Sequence, residues 1–374
     1  MNEARKKRWP LATRLVYENL RHRTARTVLS AAAIGLGVTM ILAIVGLGDG
    51  MLNEQRNRAR GAGADLLVLP PGMSAIGLSS APMSEKFVDF VRKEPHVVLA
   101  TGAVVQPLGG IKRITGIDFD AFDRMSGGFR FLDGGPFTSD YDVIVDEYYA
   151  RQNKIAVGDN LDMLDREWKV CGVVEPGKMA RVLMPIETLQ DLTGSDGKLT
   201  LIYAKLDDSA NADAVVASLK EKLEGYQVYS IEDFVSQFAV DKVPELKAFI
   251  AVVIGLAVGF GFLVIFLTMH TAVLERTREI GILKALGASP SYILRVFVQE
   301  SFALALLGTI GGIAASFGTR AVISAAVPAS MQQAILPDWW LIAAGITLTG
   351  ALFGTLYPAW KAANQDVVES LAYD

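Results

Sequence analysis

Few residues in this 374-residue chain have types and spacing that could do chemistry. The segment Gly172-Val-Val-Glu-Pro-Gly177-Lys178-Met179 meets the spacing G-x-x-x-x-G-K of a nucleotide-binding phosphate loop. Such a loop needs a Ser or Thr after the Lys to hold magnesium, and a helix behind it. Met179 stands at the Ser/Thr place, and Ala180 to Pro185 reads as a strand. The segment is expected to be a hairpin turn, and the chain to have no nucleotide site of its own. His22, His96 and His270 fall in three different regions, with no Cys or Asp/Glu cluster joining them at metal-ligand spacing. Cys171 is the one cysteine, so an intramolecular disulfide is excluded. It lies in the strand-like run from Trp168 to Val174 and reads as a buried core thiol. No Ser/His/Asp arrangement is visible. Catalytic, cofactor-binding and metal-ligating residues are therefore all expected to be absent, and the chain is not expected to be an enzyme.

Between two long apolar segments, the stretch Glu275 to Ser291 carries a patterned set of charges. Its spacing predicts a short amphipathic helix. Glu275, Arg276, Arg278, Glu279 and Lys284 supply a charged face, and Ile280, Leu283 and Leu286 form an apolar stripe. Gly287 stands where a left-handed C-terminal cap belongs. Ser289 followed by Pro290 is an N-cap with Pro at the first helical position, so a new helix should start there. Downstream, Glu300 and Arg320 are ionisable residues within an apolar segment. Such groups are costly in a membrane unless paired or wet, which makes both functional candidates. Glu300 reads equally as a residue at the membrane interface, and Arg320 as one that snorkels to the outer headgroups.

These residues must be positioned by membrane helices. The chain is 51% hydrophobic and 20% charged, with a mean hydropathy of +0.33. That mixture suits a polytopic membrane protein with a sizeable soluble part. A net charge of -4 carries no electrostatic footprint for nucleic acid, and none is expected as a partner. Four apolar segments are long enough to span a bilayer: 28–48, 247–274, 292–323 and 339–360. The first is too long for a signal-peptide core and no convincing cleavage site follows it, so it is expected to be retained. It is expected to end at Gly48-Asp49-Gly50. The glycines of the third (Gly308, Gly311, Gly312 and Gly318) permit close helix contact, within the bundle or between subunits. Residues 1–27 are basic, with an apolar side of Leu11, Leu15, Val16 and Leu20, and read as an amphipathic helix on an anionic membrane face. Lys and Arg collect before the first span and between the second and third, whereas 324–338 has neither. The positive-inside rule then places both termini, 275–291 and the tail 361–374 in the cytoplasm, and 49–246 outside it.

Within 49–246 the pattern alternates strand and helix. Asp65 to Leu69, a helix capped by Ser84 and a strand from His96 to Val104 make one βαβ unit. Leu199 to Leu206, a helix from Ala212 to Glu224 and a strand at Gln227 make another. The stretch between, 119–198, is β-rich. Ser230 with Asp233 is a loose capping box for a helix running toward the second span as a nearly continuous stalk. Pro244 reads either as a kink in that helix or as the start of a new one.

The run E-R-T-R-E-I-G-I-L-K-A-L-G-A-S from Glu275, followed by Glu300 and a Gly-rich span, resembles the FtsX-like/MacB-like family of ABC transporter permeases. E-N-L-R-H-R-T-A-R-T-V-L-S-A-A-A-I-G-L-G-V from Glu18, and Tyr357-Pro358-Ala359-Trp360-Lys361-Ala362-Ala363, resemble its first span and its C-terminus. The family usually continues to a Pro where this chain has Val367. G-G-P-F-T-S-D-Y-D-V-I-V-D from Gly134 is similar to the MacB-like periplasmic core. The resemblance implies four transmembrane helices with a large extracytoplasmic domain between the first and second. That domain would have a lobe of 49–118 and 199–246 and an inserted β-rich lobe of 119–198. It implies that 275–291 is a coupling helix docking a separate ATPase, which would bind ATP and magnesium, and that Glu300 matches a family acid. It further implies a second permease chain, identical or homologous, contact with membrane lipid, an optional periplasmic adaptor, and a multi-pass place in a bacterial inner membrane. Export of an amphiphilic substrate by mechanotransmission is the first functional expectation, supported by the size of 49–246. A transmitter activating an extracytoplasmic cell-wall hydrolase, or a lipoprotein-releasing permease, are the alternatives.

Overall fold

The structure, a computed structural model, describes residues 11–72, 82–109, 112–326 and 333–365. The basic residues Arg5 to Arg8, positions 327–332 and the tail from Asp366, with Val367, lie outside the described residues. In chain order the elements begin with α1 (Leu11–His22), α2 (Thr24–Gly61), β1 (Leu66–Leu69), β2 (Met83–Ser84), α3 (Lys86–Arg92), β3 (Val97–Gly109) and β4 (Lys112–Ile117). Next come α4 (Phe119–Ser126), β5 (Phe131–Gly134), β6 (Asp142–Asp146), α5 (Glu147–Asn153), β7 (Asn160–Met163), β8 (Arg166–Val174), β9 (Val182–Pro185) and α6 (Ile186–Thr193). Then follow β10 (Lys198–Leu199), β11 (Leu201–Leu206), α7 (Ala212–Lys222), β12 (Gln227–Ser230), α8 (Ile231–Ser236), α9 (Pro244–Glu275), α10 (Thr277–Ala285), α11 (Pro290–Ala326) and α12 (Pro337–Asn364). The chain divides into two compact units, one built from Asp49–Pro244 and the other from the segments on either side of it.

The helical unit holds α1, α2 up to Gly48, and α9 to α12. Four helices, α2, α9, α11 and α12, are long and apolar enough to cross a membrane. Small residues let α2 and α11 touch. A Cβ on Gly308 would lie 2.7 Å from Ile34 Cβ, and one on Gly312 would lie 2.6 Å from Gly35 O and 2.7 Å from Val38 Cβ. Thr39 Oγ1 donates to Gly312 O across the same seam at 3.0 Å. A Cβ on Gly311 or Gly318 would meet no neighbouring element within 4 Å. Of the two readings of these glycines, packing within the bundle therefore accounts for Gly308 and Gly312. On the α9 side, Ser30 and Thr268 hydroxyls pair at 2.9 Å. Ile265, Met269, Val273, Phe297 and Leu304 form the bundle core.

Gly48-Asp49-Gly50 does not end the first long helix, contrary to expectation: α2 is one helix of 38 residues. Tertiary contacts carry its last turns. Leu52 and Ala59 are buried. Arg58 pairs with Glu54 one turn back at 2.8 Å, and Arg181 reaches the same carboxylate at 3.2 Å. These outweigh two glycines that cost about 1 kcal/mol each relative to Ala.

The α/β unit is organised on one ten-stranded mixed sheet among the described residues, in the order β12-β1-β11-β3-β4-β9-β6-β8-β5, with β7 on β8. The βαβ units are β1–α3–β3 and β11–α7–β12, but they interleave. Strand β11 lies between β1 and β3, and β1 lies between β11 and β12, each neighbour antiparallel. The strands of the insertion prolong this sheet, since β4 pairs antiparallel with β3 and parallel with β9. All four residues of β1 are buried, Leu66 and Val68 toward one core and Leu67 and Leu69 toward the other. Helices α3, α6 and α7 cover the first face; α4 and α8 cover the second. Asp118, Asp146 and Ser230 side chains accept from the third residue on and cap α4, α5 and α8. Burial holds the Asp146 carboxyl above its usual range despite the Tyr149 N–H and the nearby arginines.

Ser84 lies on β2, paired with Lys198, and its Oγ accepts from Lys86 N at 3.4 Å as α3 begins, with Glu85 between them in helical conformation. The expected continuous stalk is absent, because α8 stops at Ser236 and Val243 is extended. Pro244 is the first residue of α9, so it starts a helix rather than kinking one.

Two outcomes are expected. Gly312→Ala should cost about 1–3 kcal/mol through overpacking, whereas Gly311→Ala should stay within about 0.5 kcal/mol; thermal unfolding in detergent checks both. Burial pushes the Cys171 thiol up to about 12, with Asp142 adding to it, and its Sγ donates to Val143 O at 3.5 Å. Its thiolate fraction at pH 8 should be at least about a hundredfold below that of a free cysteine, read as slow maleimide labelling of the native chain. Because the folded state favours the neutral thiol, the linked stability is present below about pH 8.5 and lost as pH rises toward 12.

Candidate functional site

The charged stretch is built on a break between two helices. α9 ends at Glu275 and α10 begins at Thr277, with Arg276 between them at φ -114° and ψ 13°. The Arg276 N–H donates to Val273 O at 3.2 Å, one residue short of helical register. The Thr277 hydroxyl reaches Val273 O and Leu274 O, each at 3.1 Å, and takes up carbonyls at the end of α9.

Beneath the break lies a buried charge cluster. Glu300 on α11 is 1% exposed and Arg276 is 6% exposed. Arg276 Nη1 donates to Glu300 Oε2 at 2.9 Å and Nη2 to Oε1 at 3.4 Å. Arg26, near the start of α2, donates to Glu300 Oε1 at 3.4 Å and to Glu275 Oε2 at 3.1 Å. Arg23 pairs with Glu275 as well. Three helices thus meet on one carboxylate. Glu300 is a paired, buried residue.

Only one side of α10 is free of its own bundle. Ile280 is buried in the core, Leu283 and Lys284 are half-buried, and Leu286 is exposed. The expected stripe of Ile280, Leu283 and Leu286 is therefore divided between two faces, because the bundle claims the first of them. The outward face carries Glu275, Arg278, Glu279, Ile282, Ala285 and Leu286. Ile282 is 46% exposed and Leu286 81%, one helical turn apart. The charged face is divided in the same way: Arg276 turns inward, and Lys284 Nζ donates to Gln365 O at 2.5 Å, just past the end of α12. That places a cation at a helix C-terminus.

The ends of α10 follow the residue types. Gly287 adopts φ +92°, and Gly287 N and Ala288 N donate to Lys284 O and Leu283 O, both at 2.9 Å. Ser289 Oγ accepts from Tyr292 N at 3.3 Å as α11 begins at Pro290. Sequence reasoning missed Ile282, Arg26 and Thr277. The signal for Arg26 was its level: it precedes the first long apolar run just as Arg276 follows the second.

The other candidates lie apart. Arg320 is exposed near the far end of α11, about 30 Å along the helix from Glu300. Lys178 Nζ donates to Ser126 O at 2.8 Å, capping α4, and burial holds its ammonium below the usual lysine range. Strand β9, not a helix, follows it, but β6 lies between β8 and β9 in the sheet, so the segment is a connection across β6 and not the expected hairpin turn. His22 is 4.0 Å from Glu18, His96 pairs with Asp207 at 3.0 Å, and His270 stacks on Phe266.

The chain thus carries four long apolar helices, an α/β unit between the first and second, and a half-exposed short helix between the second and third. The model of the MacB-like periplasmic core domain matches residues 27–222, and that of the FtsX-like permease C-terminal region matches residues 248–367. The chain belongs to this MacB-like, FtsX-like permease family. The macrolide export ATP-binding/permease protein MacB of Burkholderia cenocepacia is 28% identical over 98% of this chain and 58% of its own length. The ABC transporter permease MJ1507 of Methanocaldococcus jannaschii is 23% identical over 95% of this chain and 96% of its own. The periplasmic region of MacB from Actinobacillus actinomycetemcomitans aligns with 48% of this chain and 94% of that one, at 16% identity and a TM-score of 0.38. The chain spans 55–58% of the length of the MacB relatives it matches, covering their permease part.

The division of α10 into two faces gives an outcome to check. Ile280→Ala should destabilise the chain by about 2–4 kcal/mol, whereas Leu286→Ala should leave its unfolding temperature within error of the parent.

Proposed function

We propose that this chain is the membrane subunit of an ABC exporter and that a separate cytoplasmic ATPase docks on the outward face of α10. One observation carries the reading: Ile282 and Leu286 are exposed on a short helix whose opposite face is satisfied within its own bundle. Exposed apolar side chains flanked by Glu275, Arg278 and Glu279 make an apolar centre with a charged rim, the anatomy of a protein interface. Membership of the permease family supports a partner that supplies ATP hydrolysis.

In this reading two permease chains assemble with two ATPase copies in a bacterial inner membrane, both termini facing the cytoplasm. The Lys and Arg residues before α2 and around α10 favour that orientation. Movement of α10 on ATP binding is relayed to the α/β domain outside, and an amphiphilic substrate is handled at or beyond the outer leaflet. The names of the MacB relatives support export as the outcome. ATP and magnesium are bound by the partner, and a periplasmic adaptor completes the path in a host with an outer membrane.

Purification from the native host in mild detergent, followed by mass spectrometry, tests this. An ABC ATPase is expected to accompany the chain, together with an adaptor or outer-membrane channel. Ile282→Asp with Leu286→Asp should reduce ATPase recovery at least about tenfold, equivalent to roughly 1.4 kcal/mol, while the permease stays folded. A cell-wall hydrolase in place of the adaptor would replace export by signal transmission. An intact complex without any ATPase, or unchanged recovery with the double substitution, would overturn the docking reading.

A further inference from the structure

The break at Arg276 is not written in the local sequence. Leu274-Glu275-Arg276-Thr277-Arg278 contains neither Gly nor Pro, and Leu, Glu and Arg are among the good helix formers. Left to itself the segment favours one helix running from α9 into α10. Sharp helix breaks have identifiable causes, one of which is a side chain entering the backbone ladder. Thr277 Oγ1 reaches Val273 O and Leu274 O at 3.1 Å, but Thr271 makes the same pair of contacts within the unbroken α9, so what distinguishes the break is Arg276, drawn inward onto Glu300 at 2.9 Å. In a continuous helix Arg276 would shift in register, and the bidentate contact with a 1%-exposed carboxylate would be lost. Losing one partner of a buried pair is far costlier than the preference of one residue for helix.

We propose that Glu300 is the positioning residue of this elbow. By accepting from Arg276 and Arg26 together it holds α9 and α10 as two helices and aims the Ile282–Leu286 face. Loss of that grip lets the two helices merge and carries the face away from its docking direction. The elbow is thus a two-state element whose balance is set by one carboxylate. The consequence for partner binding rests on the docking reading above; the geometry of the elbow does not.

The test is a pair of spin labels at Leu267→Cys on α9 and Ala285→Cys on α10, in a Cys171→Ser chain reconstituted in lipid nanodiscs. The parent should give a distance clearly below the backbone separation of about 27 Å that one continuous helix would impose. Glu300→Gln should move the distribution toward that value. Because it leaves the buried Arg276 without its counter-charge, that variant could lose its fold, so Glu300→Gln with Arg276→Gln is measured beside it. The double variant removes one buried charge of each sign and should stay folded while showing the longer distance. A merely structural role predicts the reverse: the double variant restores stability and keeps the parental distance, which would overturn the proposal. So would a parent already at the continuous-helix distance, or collapse of both variants, which would place the cluster in bundle assembly rather than in setting the elbow. ATPase recovery is measured on the same samples. A parent that binds no ATPase yet responds at the elbow as expected would sink the docking reading and leave this inference standing.

Discussion

A carboxylate taken out of water must be met by cations and hydrogen bonds, or the desolvation cost is not recovered. In this chain that constraint falls on Glu300 and decides how three helices meet. Arg26 comes from the start of α2, Arg276 from the end of α9, and the acid from the first third of α11. Their side chains converge only if the three helix segments lie at one level. The same cluster sets where α9 must stop, because Arg276 reaches the acid from a non-helical backbone. From there the rest of α10 is determined in turn: Ile280 enters the core, Lys284 caps the end of α12, and Gly287 closes the helix.

The four long helices were legible because about twenty consecutive apolar residues have few other uses. Caps were legible where the cap is a local interaction: Ser230, Ser289 and Gly287 all do what their types suggest. What failed was set by distant contacts. Gly48 and Gly50 looked like a helix end, but Glu54, Arg58 and Arg181 carry α2 past them, and a sequence does not show that residue 181 will return to residue 54. The two βαβ units were visible as strand and helix patterns. Their interleaving was not, since strand order is a non-local property and β1 has no local reason to sit between β11 and β12. The apolar stripe of α10 was read without knowing which side the bundle would take. A periodicity of 3.6 identifies a face; it does not say whether the chain or a partner covers it.

The phosphate-loop near miss shows how a motif can be met for a different physical reason. Gly177 adopts φ +97°, a conformation that glycine tolerates without strain, in the turn between β8 and β9. Lys178 then points at the last carbonyls of α4, where Lys205 also donates, to Met125 O at 2.9 Å. Two ammonium groups at a helix C-terminus complement its partial negative charge. A phosphate loop works the opposite way, offering helix N-terminal N–H groups to an anion. The spacing is shared, but the sign of the electrostatics is reversed.

The inward side of α10 has no unmet need that its outward side could serve. Arg276, Thr277, Ile280 and Lys284 are each engaged within the bundle. Ile282 and Leu286 therefore add little to the chain's own stability, and leaving them in water forgoes about 25 cal/mol for each Å² of apolar surface that burial would remove. One exposed leucine is ordinary on any protein surface. Two, a turn apart and rimmed by Glu275, Arg278 and Glu279 on a helix otherwise tied down by a buried ion cluster, form a small rigid face. Rigidity matters because a face held in place before binding avoids the ordering cost that a loose loop would meet. The buried cluster and the exposed pair are then two ends of one arrangement: the first fixes the direction in which the second points.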